Sequence, residues 1–239
     1  MKVICVASAK GGVGKSTFCT EVGKKLAAMK KRVLLVDMDI GVRSLDILLV
    51  AAEKTVYNWG DVLNGNCDSR KALITTESGV YLLAAPVNFS DAFTPESFAG
   101  IIEGYKKDFD FIILDSPAGL ESGFRLSVSC ADECVFVTTP DAVSVRAAAS
   151  AALNARSLTD AEQLLLVNRF DRHLHKSVCV DDIIDTVGAK LLGIIPESDE
   201  IYDSLSGKKI PDDCKGSKAV LRIAKRLCGE NVVFRVKNI

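Results

Sequence analysis

Val3-Ile4-Cys5-Val6-Ala7, running into Ser8-Ala9-Lys10-Gly11-Gly12-Val13-Gly14-Lys15-Ser16-Thr17, decides how this chain folds. The first five residues are a short apolar run of strand character, and the glycines break it before a helical pattern begins at Lys15. Glycine has no Cβ, so successive backbone N–H groups here can turn inward around an anion. A helix starting at Lys15 aims its positive end at the same place. Lys15 adds a point charge suited to the β- and γ-phosphates of a nucleoside triphosphate, and the Ser16 hydroxyl is a ligand for Mg²⁺. Gly11, Gly12, Val13, Gly14, Lys15, Ser16 and Thr17 are therefore the candidate phosphate-binding residues. A strict loop of this kind reads G-x-x-x-x-G-K-[ST]. Here the first position is Ala9, and a second lysine, Lys10, stands inside the loop.

Outward from this loop the chain alternates strand and helix. Arg32–Asp37, Val80–Ala85, Phe109–Asp115, Cys134–Thr139, Gln163–Asn168 and Lys190–Pro196 read as short, continuously apolar strands of the kind buried in parallel sheets. Lys15–Met29, Pro95–Lys107, Ser122–Ser129, Ser144–Arg156, Val180–Val187 and Ser217–Cys228 read as helices. With no repeat and no Gly/Ser/Pro linker, residues 1–239 are expected to form one α/β domain, a mostly parallel sheet with helices on both faces, ending in a short tail at 230–239. Ligands in such sheets bind at the carboxyl ends of strands. The distinctive residues lie there: Asp37 and Asp39 in Asp37-Met38-Asp39-Ile40-Gly41, Asp115 before Ser116-Pro117-Ala118-Gly119, Asn168-Arg169, and Pro196. Asp37 and Asp39 can sit near Mg²⁺ or hold an attacking water, and Asp115 is placed to hold Mg²⁺ directly or through a water. The Asn168 amide can both donate to and accept from a base edge.

Composition narrows the alternatives. A chain of 239 residues that is 48% hydrophobic can bury a large two-sided core, and a net charge of −1 gives no general pull toward nucleic acid or anionic lipid. Aromatics at 6% argue against a base-stacking surface. No apolar run reaches the roughly 20 residues that cross a bilayer, and nothing resembles a signal peptide, so a cytoplasmic location is expected. The eight cysteines include no Cys-x-x-Cys pair, and most read as small buried hydrophobes; His173 and His175 read as a solvated turn.

Lys-Gly-Gly-Val-Gly-Lys-Ser-Thr at positions 10–17 resembles the deviant Walker A motif of the MinD/ParA group of P-loop ATPases. Asp37-Met-Asp-Ile-Gly-Val-Arg-Ser-Leu-Asp46 and Asp115-Ser-Pro-Ala-Gly-Leu-Glu-Ser-Gly123 are similar to the switch I and switch II segments of its MinD branch. The resemblance runs from Lys2 to about Cys228 and implies a P-loop NTPase fold with a cycle of ATP-dependent homodimerisation and slow, partner-stimulated hydrolysis. It implies catalytic parts for Lys15, for Lys10 reaching the partner's nucleotide, and for Asp39 positioning water. Ser16 and Asp115, with Asp37 nearby, would organise Mg²⁺; Asn168, Arg169 and Pro196 would meet the adenine of ATP or ADP. The implied role is placement of the cell-division site, with an activating or inhibitory division-site protein as partner. A DNA-partitioning ATPase, a nucleotide-dependent adaptor with little turnover and an iron–sulfur carrier are the alternatives. The tail after Gly229 is shorter and more β-branched than a robust membrane-binding helix, and Arg146 is followed by Ala147-Ala148-Ala149 where the MinD branch commonly has an aspartate. Lys218, Arg222, Lys225 and Arg226 share one helical face, a basic stripe that could touch DNA or anionic lipid at the inner face of the cell membrane.

Overall fold

The computed structural model describes residues 1–171, 179–204 and 210–233; His173, His175 and the tail from Phe234 lie outside them. In chain order the elements are β1 (Lys2–Ser8), α1 (Lys15–Ala28), β2 (Val33–Asp37), α2 (Leu45–Leu48), α3 (Trp59–Leu63), β3 (Leu73–Thr75), β4 (Tyr81–Leu83), α4 (Pro95–Tyr105) and β5 (Phe111–Ala118). There follow α5 (Ser122–Ser129), β6 (Glu133–Thr138), α6 (Ala142–Arg156), β7 (Glu162–Phe170), α7 (Val180–Val187), β8 (Lys190–Pro196), α8 (Asp199–Ser204) and α9 (Lys215–Leu227).

The strands form one eight-stranded sheet in the order β3-β4-β2-β5-β1-β6-β7-β8. All neighbours are parallel except β3, an antiparallel edge strand against β4. Alternation of side chains along each strand feeds both faces. Ile4, Val6, Val33 and Leu35 pack beneath α1 and α9 through Val22, Leu26, Val220 and Ile223. Val3, Leu34, Val36 and Leu114 meet Trp59, Phe98 and Ile102 on the opposite face. Cys5, Phe136 and Val167 continue that second face under α5, α6 and α7. There α6 presents Ala148, Ala151, Ala152 and Ala155, all fully buried, so small side chains let this helix lie close to the sheet.

Two differences from expectation bear on the site. β5 continues past Asp115 through Ser116 and Pro117 to Ala118, with a slip in its register against β1 between Val6 and Ser8. Four short elements, α2, α3, β3 and α8, emerge where loops were expected, because three to six residues carry too little periodicity to read. The cysteines also divide: Cys5, Cys19 and Cys134 are buried, four are half-buried and Cys179 is exposed.

Candidate functional site

The loop between β1 and α1 turns through two left-handed glycines, Gly12 (φ 75°) and Gly14 (φ 98°), conformations costly for residues with a Cβ. At Gly14 a Cβ would also stand 2.3 Å from Asn168 Nδ2. Lys15 opens α1 and is only 8% exposed. Among the described residues it has no ion pair, although its charge draws down the pKa of Asp39 and Asp115.

Asp39 and Asp115 lie near enough to feel that charge. Asp37 ends β2 and faces Asp115, which lies inside β5, in direct parallel register. Asp37 spends its oxygens on switch I: Asp39 N–H donates to Oδ1 and Leu45 N–H to Oδ2, both at 2.9 Å. Trp59, completely buried, donates its indole N–H to the Asp37 carbonyl at 2.9 Å. The Asp115 side chain is more open to a ligand, since its buried Oδ2 accepts no hydrogen bond from a described residue. Burial and the facing Asp37 charge push the Asp115 carboxyl up to about 7, with the Ser16 hydroxyl and Lys15 pulling the other way. Burial likewise raises Asp37 to about 6 against the pull of its two backbone donors. Two buried carboxylates that resist ionising together, one with an orphaned oxygen, suit a hard divalent cation completed by Ser16 and phosphate oxygens. Asp39 is half-buried, raised by desolvation and lowered by Lys15. Switch I touches the loop directly: Ser44, within the switch I segment but with no role assigned from sequence, donates its hydroxyl to Ser16 Oγ at 3.3 Å.

The expected base site lies between β7, β8 and α8. A cleft there is lined by Gly14, Thr17, Asn168, Arg169, Pro196 and Tyr202. Asn168 is buried and donates Nδ2 to the Val13 carbonyl at 2.8 Å, so it braces the phosphate loop as well as facing the cleft. Arg169 is exposed in a left-handed conformation (φ 55°), and Pro196 closes β8 beside Phe170. Tyr202 and the helix bearing it had no sequence signal beyond Pro196.

Lys10 points away from the phosphate loop within its own subunit. Its Nζ donates to Ser144 Oγ at 2.7 Å and pairs with Asp141 Oδ1 at 3.3 Å, at the start of α6. Against the push of burial, donors from Ser144, Thr139 and Lys10 hold the Asp141 carboxyl well below the usual carboxylate range. That cap also explains why α6 begins at Ala142, two residues earlier than expected: Ser144 N–H donates to Asp141 at 2.9 Å. The basic stripe on α9 is reduced. Arg226 turns inward, with Nη1 donating to the Leu192 carbonyl and Nε to the Val232 carbonyl, each at 3.0 Å. Lys225 pairs with Glu230 at 4.0 Å; it and Arg222 are half-buried, and Lys218 is exposed.

Comparison with known proteins agrees with this geometry. The family model described as the CobQ/CobB/MinD/ParA nucleotide binding domain matches residues 4–211. The septum site-determining protein MinD of Bacillus subtilis is 36% identical over 250 residues, covering 98% of this chain and 92% of its own length. That of Synechocystis is 38% identical over 247 residues, covering 98% and 91%. MinD in the MinC:MinD cell division complex of Aquifex aeolicus superposes with a TM-score of 0.90 at 34% identity, covering 98% of both chains. The Pyrococcus horikoshii MinD complexed with Mg-ADP gives 0.83 at 25% identity, covering 95% of both. Motif, sheet order and full-length kinship converge, and the chain belongs to the MinD/ParA family of nucleotide-binding proteins.

Proposed function

We propose that this chain, acting over residues 1–239 as one ATPase domain, is a MinD-type spatial regulator. It binds ATP with Mg²⁺, pairs with a second copy while the triphosphate is intact, and separates after slow hydrolysis that a division-site protein accelerates. One observation carries the chemistry: buried Lys15 has no ion pair among the described residues, its charge reaches Asp39 and Asp115, and Asp115 keeps an orphaned oxygen. A buried cation in that position favours an anionic ligand, and a helix N-terminus adds to the attraction. Bound Mg²⁺ supplies neutralisation of phosphoryl charge. The rest belongs to the chain: Lys15 binds the β- and γ-phosphates, Asp39 orients water, and Asp37 and Ser44 tie switch I to the loop so that it responds to the ligand. Kinship to septum site-determining proteins supports placement of the division site as the cellular role.

The test is a paired measurement on purified protein. Asp39→Ala should abolish ATP turnover while retaining ATP binding, and equal loss of both sinks the switch assignment. Light scattering should show a dimer in ATP and a monomer in ADP, with the dimer lost in Lys10→Ala. Attachment to the inner face of the membrane rests on family kinship, and ATP-dependent sedimentation with anionic liposomes decides it. With Arg226 withdrawn from the α9 stripe, DNA partitioning has less to recommend it.

A further inference from the structure

Cys19 lies on α1 three residues after Ser16 and four after Lys15, so it shares their face of the helix. It is completely buried, and its Sγ donates to Asp115 Oδ1 at 3.6 Å. The other oxygen of the same carboxylate, Oδ2, is buried and accepts no hydrogen bond from a described residue. An aspartate carboxylate can rotate about its terminal torsion, which is broad and roughly two-fold. A donor fixed on one oxygen removes that freedom and commits the other oxygen to one direction. An ordinary cysteine thiol carries its proton at neutral pH, so the sulfur is a donor there.

We propose that Cys19 is a positioning residue for Asp115: its thiol holds Oδ1 and thereby presents Oδ2 to the Mg²⁺ of the bound nucleotide or to a water on that ion. The inference rests on the Mg²⁺–nucleotide reading above. It goes further in assigning a buried thiol, by appearance a filler of the core, to the orientation of a metal-binding carboxylate. Partners of this kind, one bond removed from the ion, commonly change metal affinity by about 10–100-fold when removed. The S–H donor is weak, so about tenfold is expected here.

The experiment uses the full chain with a non-hydrolysable ATP analogue and Mn²⁺ as the paramagnetic probe, with bound and free metal counted by EPR. Cys19→Val loses the donor and replaces it with an apolar, slightly larger side chain, whereas Cys19→Ser keeps a donor. The Val variant should bind Mn²⁺ in the nucleotide complex about tenfold more weakly, with affinity for the analogue in EDTA unchanged. The Ser variant should return to within about twofold of the parent. Mn²⁺ affinity equal to the parent's in Cys19→Val overturns the proposal. So does an equal loss in both variants at equal thermal stability, which would make the effect one of packing. If the parent complex holds Mn²⁺ no more tightly than the analogue alone does, the metal reading itself fails, and the role of Cys19 with it.

Discussion

Asn168→Ala separates two jobs that one side chain could perform. In the free protein Asn168 Nδ2 donates to the Val13 carbonyl at 2.8 Å, bridging β7 and the phosphate loop across 155 positions of sequence. Removing the donor strands a buried carbonyl, a loss of about 1–3 kcal/mol. The adjoining cleft lets water reach the vacated space, which favours the lower half of that range, about 1–2 kcal/mol. For a chain of this length each kcal/mol moves the midpoint of thermal unfolding by about 2–4 °C, so a fall of about 2–8 °C is expected without nucleotide. ATP affinity should fall as well, since the loop is no longer held in its binding shape. Asn168→Asp should do worse, because it turns a carboxylate oxygen toward the Val13 carbonyl and adds negative charge beside the phosphates. Scanning calorimetry without nucleotide, paired with titration calorimetry of ATP and GTP, reads both effects. An unchanged midpoint with weakened, less base-selective binding would refute the bracing role and leave Asn168 as a reader of the base alone.

Other positions give sharper or opposite effects. Val50, a β-branched residue at φ 52° and 75% exposed, should be improved by Val50→Gly: relief of about 1–2 kcal/mol of left-handed strain outweighs about 0.5–1 kcal/mol of glycine entropy. Val56→Gly, equally exposed without a positive φ, should lose stability in the same urea titration. Gly193→Ala places a Cβ 2.4 Å from Ile223 Cγ1 and should cost about 1–3 kcal/mol by overpacking β8 against α9. A double-mutant cycle should find Ile223→Val less harmful in that background than in the parent. Arg226→Met should lower stability by about 1–2 kcal/mol through its bonds to the Leu192 and Val232 carbonyls, and should leave any liposome binding intact. Unchanged stability with reduced liposome binding would restore Arg226 to the stripe.

Much of the site could be read from local chemistry. Gly12 and Gly14 mark the turn because the backbone there takes left-handed angles, and Asp37 and Asp115 close apolar runs in paired strands, although β5 itself goes on to Ala118. What could not be read depends on distant partners. Nothing near Lys10 foretells that it will rest on Asp141 and Ser144, and nothing near Asn168 foretells Val13. Helical spacing set Arg226 on a basic face, yet the return of the chain at Val232 draws it inward. Cys19 and Trp59 stand in no motif, and Ser44 stands in one without a contact to name; their meaning comes from the fold bringing Asp115, Asp37 and Ser16 to them. α3 did carry a legible cue, the Asn58/Asp61 capping box, but five residues are too few for a periodic pattern to support it.

Trp59 is the sole tryptophan of the chain, and its indole is bonded to the backbone of the residue where switch I begins. The molecule thus carries an intrinsic optical probe at the part of the structure expected to move. Its emission reports from a dry site with one defined hydrogen bond, so a change in the Asp37–Leu45 segment will register as a wavelength or intensity shift undiluted by other indoles. Mixing experiments can then time the switch in unlabelled protein, keeping rearrangement distinct from phosphate release and from subunit pairing.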